Sequence, residues 1–242
     1  MRNLGIYDKM NIPETCRVDK TVFKKLFYEN ADLSAGDKAL FAEGMDKVTW
    51  RYCMKPETIH IPSYEDEERE YAEIEVIEVA LTREKGLRRM TEIIMRTIPY
   101  PMLLVFRLGD RLQFWVAHQR INRSDSNKTT LDELIFSPWV TPDAPLLDAL
   151  DISTMRFTNF FTLYCDLIDA ISIDRAKAVA GTAEPMTGEA ARALIAQTAA
   201  REAQLATLRA ELKKETQFNR KLEISMKIKR LEVTCDGRTE KP

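Results

Sequence analysis

Tyr71-Ala72-Glu73-Ile74-Glu75-Val76-Ile77-Glu78-Val79-Ala80-Leu81-Thr82 decides the fold. Ala72, Ile74 and Val76 alternate with Glu73 and Glu75, the period of two that a strand imposes on its faces. The parity then shifts to Ile77, Val79 and Leu81. A shift of one residue exchanges the faces of a strand, so the stretch predicts a β-bulge near Val76 or burial on both faces. After it, Leu87, Met90, Ile93 and Ile94 recur at helical spacing within residues 84–96, and Pro99 and Pro101 stop that helix. Residues 102–108 and 111–118 are apolar runs joined at Gly109-Asp110, a hairpin pattern. Strand, helix and hairpin in that order predict an α/β (α+β) fold, a mixed central sheet with flanking helices.

Towards the N-terminus, residues 1–17 lack periodicity and read as a flexible arm. Val18, Val22, Phe23, Leu26 and Phe27 then fall at helical spacing, with Asp19 as the expected cap. Leu33-Ser34 with Asp37 resembles a capping box, Asp standing where Glu is usual. It would open a second helix that buries Leu40, Phe41, Met45 and Val48. Residues 48–54 and 57–61 are β-rich, and Pro56 between them argues against one unbroken central strand. The acidic stretch 65–70 reads as a solvated loop.

Towards the C-terminus, residues 122–145 form a polar, proline-containing excursion. Phe157, Phe160, Phe161, Tyr164, Leu167, Ile168 and Ile171 then make the stripe of a core helix. Residues 177–188, with Gly181, Pro185 and Gly188, read as a linker, which bounds the α/β domain at 18–176. Residues 189–234 are rich in Ala, Leu, Glu, Lys and Arg, strong helix formers. They predict a charged C-terminal helix of roughly 60–70 Å at 1.5 Å per residue, with 235–242 a disordered tail. Leu205, Leu208, Leu212, Leu222 and Met226 share one heptad seam, broken at Glu215 and Asn219. Ile224, Ile228 and Leu231 form an offset stripe. Such a helix pairs as a coiled coil with a copy of itself, with a partner, or back on the domain.

Composition narrows the class. Of 242 residues, 45% are hydrophobic, enough for a core, and 31% are charged, which calls for a strongly charged element. The net charge of −2 makes the chain no polycation, so any nucleic-acid contact has to come from a local patch. Cys16, Cys53, Cys165 and Cys235 show no metal-ligand spacing and read as reduced thiols. Residues 1–10 carry no apolar export stretch, and the longest apolar run, 102–106, is far too short to span a membrane. The expected location is cytoplasmic, with no membrane contact.

No catalytic motif is legible. His60 and His118 sit in expected strands, where a histidine with a local hydrogen bond is ordinary. There is no nucleophile elbow, phosphate-binding loop or dinucleotide fingerprint among only eight glycines. The expectation is therefore a protein without catalytic residues, bound metal or cofactor. One enzymatic alternative is a divergent Mg²⁺-dependent nuclease of restriction-endonuclease type, using Glu73, Glu75 and Glu78. Such enzymes set a lysine two residues after the acid. Ile77 and Ala80 stand there after Glu75 and Glu78, and Lys85 comes too late.

The other candidate feature is basic. Arg209, Lys213, Lys214, Arg220, Lys221, Lys227, Lys229 and Arg230 face Glu211, Glu215 and Glu223, a surplus of five positive charges. They are the candidate contact for nucleic acid or an acidic partner. Phe218 is the sole aromatic among them, which does not suggest base stacking.

Trp50-Arg51-Tyr52, Lys55-Pro56-Glu57-Thr58-Ile59-His60-Ile61, the Glu73-Ile74-Glu75-Val76 strand, Ile98-Pro99-Tyr100 and Phe114-Trp115-Val116-Ala117 follow one another in an order that resembles the bacterial family called domain of unknown function 4391, over roughly residues 18–232. The resemblance carries no catalytic residue. It implies company with DNA methyltransferases and helicases in restriction or phage-defence gene clusters. The expected function is thus a non-catalytic accessory or docking subunit of a restriction or antiviral complex. Leu205, Leu208, Leu212, Leu222 and Met226 would join it to a methyltransferase, a helicase, DNA or a second copy. The divergent nuclease and a structural homodimer with no DNA role are the alternatives.

Overall fold

A computed structural model describes residues 5–121 and 129–236. Its centre is a six-stranded mixed sheet whose strands lie side by side in the order 17–22, 45–54, 74–81, 102–108, 111–116 and 135–136. A short helix α1 (Ile6–Lys9) precedes β1 (Arg17–Val22). Helices α2 (Lys24–Asn30) and α3 (Ala35–Gly44) lead into β2 (Met45–Met54). Strand β2 pairs antiparallel with both β1 and β5 (Ile74–Leu81). Helix α5 (Leu87–Thr97) then crosses over, and β6 (Met102–Leu108) returns parallel to β5. Strand β7 (Arg111–Val116) turns back on β6 through Gly109-Asp110, and β10 (Ile135–Phe136) closes the far edge. Two ribbons flank the sheet, β3 (Tyr64–Glu65) with β4 (Glu70–Tyr71) and β8 (Gln119–Ile121) with β9 (Thr129–Leu131).

β5 is regular and buried on both faces. Ile74 and Val76 face a core shared with α1, α6 (Pro145–Ala149) and α7 (Phe160–Ala180). Ile77, Val79 and Leu81 face a second core under α2, α3 and α5. The parity shift that opens the sequence is therefore one continuous alternation with apolar residues on both sides. The bulge lies on the neighbouring strand. Trp50 pairs with Ile77 and Tyr52 with Val76, which leaves Arg51 as the extra residue.

Several local expectations are corrected. Residues 5–17 are no loose arm: Ile6, Met10, Ile12 and Cys16 are buried in the core, because scattered apolar residues without period can still fill the end of a sheet. Residues 17–22 form strand β1, not the start of a helix. Asp19 has φ 47° at an irregularity in the β1–β2 register instead of capping a helix. Residues 57–61 are not a strand. Pro56 stands at the first turn of α4 (Pro56–Ile59), where its missing N–H costs nothing, and His60 ends that helix in the left-handed region. Ser34 and Asp37 do form the capping box, and Asp37 also holds Arg89 at 2.8 Å.

Helix α7 is capped by Asn159, whose side chain accepts from the Thr162 N–H. It continues to Ala180, so the Gly/Pro-containing connection is confined to 181–187. The C-terminal segment is helical and long, and it bends back on itself. Helix α8 (Gly188–Lys214) packs along α7 through Ala176, Ala191 and Ile195. Gly188 lies so close to α7 that a Cβ there would overlap the Asp169 carboxylate. Glu215 then breaks the helix with extended backbone, and its carboxylate accepts from the Thr216 and Gln217 N–H groups at 2.8 and 2.9 Å. Helix α9 (Phe218–Asp236) runs back along α8. Cys235 and Asp236 are thus helical, and the rest of the expected tail, like residues 122–128 of the polar excursion, lies outside the described residues. No described helix is long and apolar enough to cross a membrane.

Candidate functional site

The bulge at Arg51 sorts the charged side chains of the β2–β5 seam onto opposite faces of the sheet. Trp50, Cys53 and Glu75 turn towards α5. Arg51, Tyr52 and Glu78 turn towards α1 and α7. Glu73, Glu75 and Glu78 consequently do not converge: the first two stand together and the third stands behind them. A centre built on all three glutamates does not assemble.

On the α5 side, donor atoms of Cys53, Glu73 and Glu75 lie within 4.8 Å of one another. Glu75 is 2% exposed. Its carboxylate accepts from the Trp50 indole N–H and, at 3.3 Å, from the Cys53 thiol. Burial pushes its carboxyl up to about 7, and the neighbouring Glu73 adds to the rise against those two hydrogen bonds. Burial, with Glu75 beside it, also raises the Cys53 thiol well above the ordinary range. Lys55 balances Glu73 at 3.1 Å. One thiol and two carboxylates suit a borderline ion such as Zn²⁺ better than Mg²⁺, which prefers an all-oxygen shell. These are the residues that would hold a metal.

On the opposite face Glu78 is enclosed. Arg51 Nη2 approaches its Oε1 at 2.7 Å, Arg107 Nη2 its Oε2 at 2.6 Å, and the Tyr7 hydroxyl donates to Oε2 at 2.6 Å. Burial alone would raise this carboxyl, but Arg51, Tyr7 and Arg107 outweigh it and hold Glu78 below its usual value. Tyr7 is raised well above the usual phenol by burial and by Glu78. A saturated carboxylate in such a cage is a structural tie.

His118 stands apart from both. Its Nδ1 lies 2.5 Å from the Tyr71 hydroxyl, and its ring packs among Tyr71, Phe161 and Tyr164. Burial and the nearby Arg69 lower it to about 4, so it is neutral near pH 7. The Cys165 thiol lies 4.0 Å from Nε2 and is raised by burial, the reverse of what an activated nucleophile needs.

The C-terminal seam is divided by the turn. Leu205, Leu208 and Leu212 pack against Ile224, Ile228 and Leu231, the offset stripe, inside the α8–α9 hairpin. Leu222 and Met226 do not join them. They are 53% and 50% exposed, and Phe218, one turn earlier, is 78% exposed. The turn reverses which side of the heptad pattern faces inward. Of the basic residues, Arg209 is tied to Glu232 at 2.8 Å and Arg220 to Glu215 at 3.6 Å, while Arg230 also has a partner. Lys213, Lys214, Lys221, Lys227 and Lys229 are exposed and make no ion pair with a described residue.

Comparison with known proteins places the chain. The family model described as Domain of unknown function (DUF4391) matches residues 10–234. The chain belongs to this family. No curated protein and no solved structure matches it. The family match starts within the N-terminal segment that packs into the core and runs to α9, so body and hairpin both fall within the family's extent.

Three participants escaped the sequence. Arg107 is the lone charge in the apolar run 102–108, and a charge inside a buried strand signals a carboxylate nearby. Cys53, two residues before the β2 strand gives way to Lys55-Pro56, carried no such signal. Phe218 was visible as an aromatic among cations, but its exposure depends on the turn before it.

Proposed function

We propose that this protein is a non-catalytic docking subunit whose α/β body supports a C-terminal helical hairpin that engages another protein. The observation that carries this is the outward face of α9. Phe218, Leu222 and Met226 lie at i, i+4 and i+8 and are half or more exposed, while Ile224 and Ile228 of the same helix are buried. Apolar residues that line up on one helix face in water mark an interaction site more often than three scattered ones would. Glu78 is closed in by Arg51, Arg107 and Tyr7, the thiols of Cys53 and Cys165 are held protonated, and His118 is packed among Tyr71, Phe161 and Tyr164, so these groups offer no nucleophile or general base in an open cleft. The resemblance to companions of DNA methyltransferases and helicases in defence clusters names the class of partner, in a restriction or antiviral complex.

The test is a triple variant of the full chain, Phe218→Ser with Leu222→Ser and Met226→Ser. All three side chains are exposed, so stability should stay within ~0.5 kcal/mol per site. Co-purification from the native host with a DNA methyltransferase or helicase, the partner class the resemblance implies, should disappear. Retained co-purification would sink the docking role.

The cluster of Cys53, Glu73 and Glu75 supports a second reading, a divergent metal-dependent nuclease. It predicts DNA cleavage in Mg²⁺, Mn²⁺ or Zn²⁺ that Glu75→Gln abolishes. The docking reading predicts no cleavage with any of them.

A further inference from the structure

We infer that the outward face of α9 receives an acidic amphipathic helix of the partner protein, laid along α9 on the side away from α8. This rests on the docking reading above and adds the chemistry of the occupant. Phe218, Leu222 and Met226 cover about 12 Å of helix at 1.5 Å per residue. Lys229, three residues beyond Met226, continues the same face, and Lys221, three residues after Phe218, borders it. Both lysines are exposed and make no ion pair with a described residue, whereas Arg209 and Arg220 are already tied to Glu232 and Glu215. Glu223, three residues before Met226, is likewise exposed without an ion pair to a described residue, so the unspent charge bordering the apolar line, Lys221 and Lys229 against Glu223, is net positive. A partner helix with apolar residues every three or four positions and carboxylates at their flanks matches both features at once.

Other occupants match only one of them. Nucleic acid would use the lysines and leave Phe218, Leu222 and Met226 facing water. A bilayer needs a longer apolar face than two turns of helix to hold a peripheral protein. A second copy, docking face to face, would bring Lys221 and Lys229 of both chains into one seam, a like-charge arrangement that disfavours association.

The experiment uses the full chain in its native host with the photoreactive residue p-benzoylphenylalanine in place of Phe218, and a control with the same residue at Tyr100, which is exposed on the α/β body. Adducts are mapped by mass spectrometry. The expected adduct is to a helical segment of another protein in which Asp or Glu flanks apolar residues spaced three or four apart. Lys221→Glu with Lys229→Glu should lower its yield at least tenfold, and reversing the partner's acids to Lys should restore it. An adduct with nucleic acid, lipid or a second copy overturns the inference. So does an adduct with a protein segment lacking those acids, or one indifferent to charge reversal, although the docking reading then survives. No adduct above the Tyr100 control overturns both.

Discussion

Arg51, the bulged residue of β2, reaches through the seam to Glu78 on β5, with Nη2 2.7 Å from Oε1, while its Nη1 holds Asp19 of β1 at 2.9 Å. One side chain thus ties three adjacent strands. Glu78 is almost wholly enclosed, and breaking a buried pair by removing one partner leaves the other charge uncompensated. Because Arg51 and Arg107 keep some solvent contact, Glu78→Gln should cost less than a fully buried case, about 1–3 kcal/mol in urea unfolding. A double-mutant cycle of Glu78→Gln with Arg51→Met should show a coupling of at least ~0.5 kcal/mol. Additive costs would mean that the pair is not a tie.

Two enclosed groups, His118 and Glu75, should answer oppositely to pH. His118 has its pKa lowered in the fold, so the folded protein resists a proton that the unfolded chain accepts. Stability is complete above the ordinary histidine value and is lost as pH falls from about 6.5 towards 4. Glu75 has its pKa raised, so its neutral form is the one the fold favours. Stability falls as pH rises from about 4.5 towards 7. Urea midpoints across pH 4–8 should therefore show His118→Gln flattening the acid limb and Glu75→Gln flattening the neutral limb, each by about 2–3 kcal/mol at most. If Glu75→Gln leaves the pH 5 to 7.5 change untouched, its carboxyl is not held up by burial.

Gly188 sets the approach of α8 to α7. Its replacement by Ala would force a Cβ into the Asp169 carboxylate, which Arg192 also grips. Gly188→Ala should destabilise by about 1–3 kcal/mol, the usual cost of overpacking. Combining it with Asp169→Gly, which removes both the carboxylate and the Cβ that lies 2.7 Å from the added methyl, should remove more of that cost than Asp169→Ala, which keeps that Cβ. A neutral Gly188→Ala in circular-dichroism melts would place the two helices further apart than described.

The hairpin and the stripe should separate cleanly. Ile224→Glu puts a charge between α8 and α9 and should reduce helical content by opening the hairpin. Leu222→Glu, two residues earlier but on the exposed side, should stay within ~0.5 kcal/mol of the parent. Equal effects from both would contradict the division of the apolar residues into an inner and an outer set.

Much of the body was legible because its strongest patterns are local. The alternation from Ile74 to Leu81, the stripe of α5, the turn at Gly109-Asp110 and the Ser34-Asp37 box each announce their element within a few residues. What failed depended on partners distant in the chain. Residues 17–22 carry apolar positions that fit a helix, and only pairing with β2 makes them a strand. Of the two readings of the parity shift at Val76, burial on both faces is what β5 shows, and the bulge lies on the neighbouring strand at Arg51, since register belongs to a pair of strands and one strand shows only half of it. The turn at Glu215 contains neither Gly nor Pro. It works because a glutamate side chain can cap the next helix, and that residue looks like any other on a charged surface. The nuclease alternative needs Glu73, Glu75 and Glu78 to converge from one strand, yet the period of two sends an odd-numbered and an even-numbered residue to opposite faces.

Helix α9 has its substantial contacts with α8, and α8 reaches the rest of the chain through α7. Everything that holds α9 is therefore close to it in sequence and separate from the two cores beneath the sheet. Such a unit opens and closes on its own, at a free energy below that of global unfolding. In amide exchange the hairpin should release its protons as one early group, long before β5 and β6 do. A contact made at Phe218 would slow that group alone, leaving the exchange of the sheet as it was.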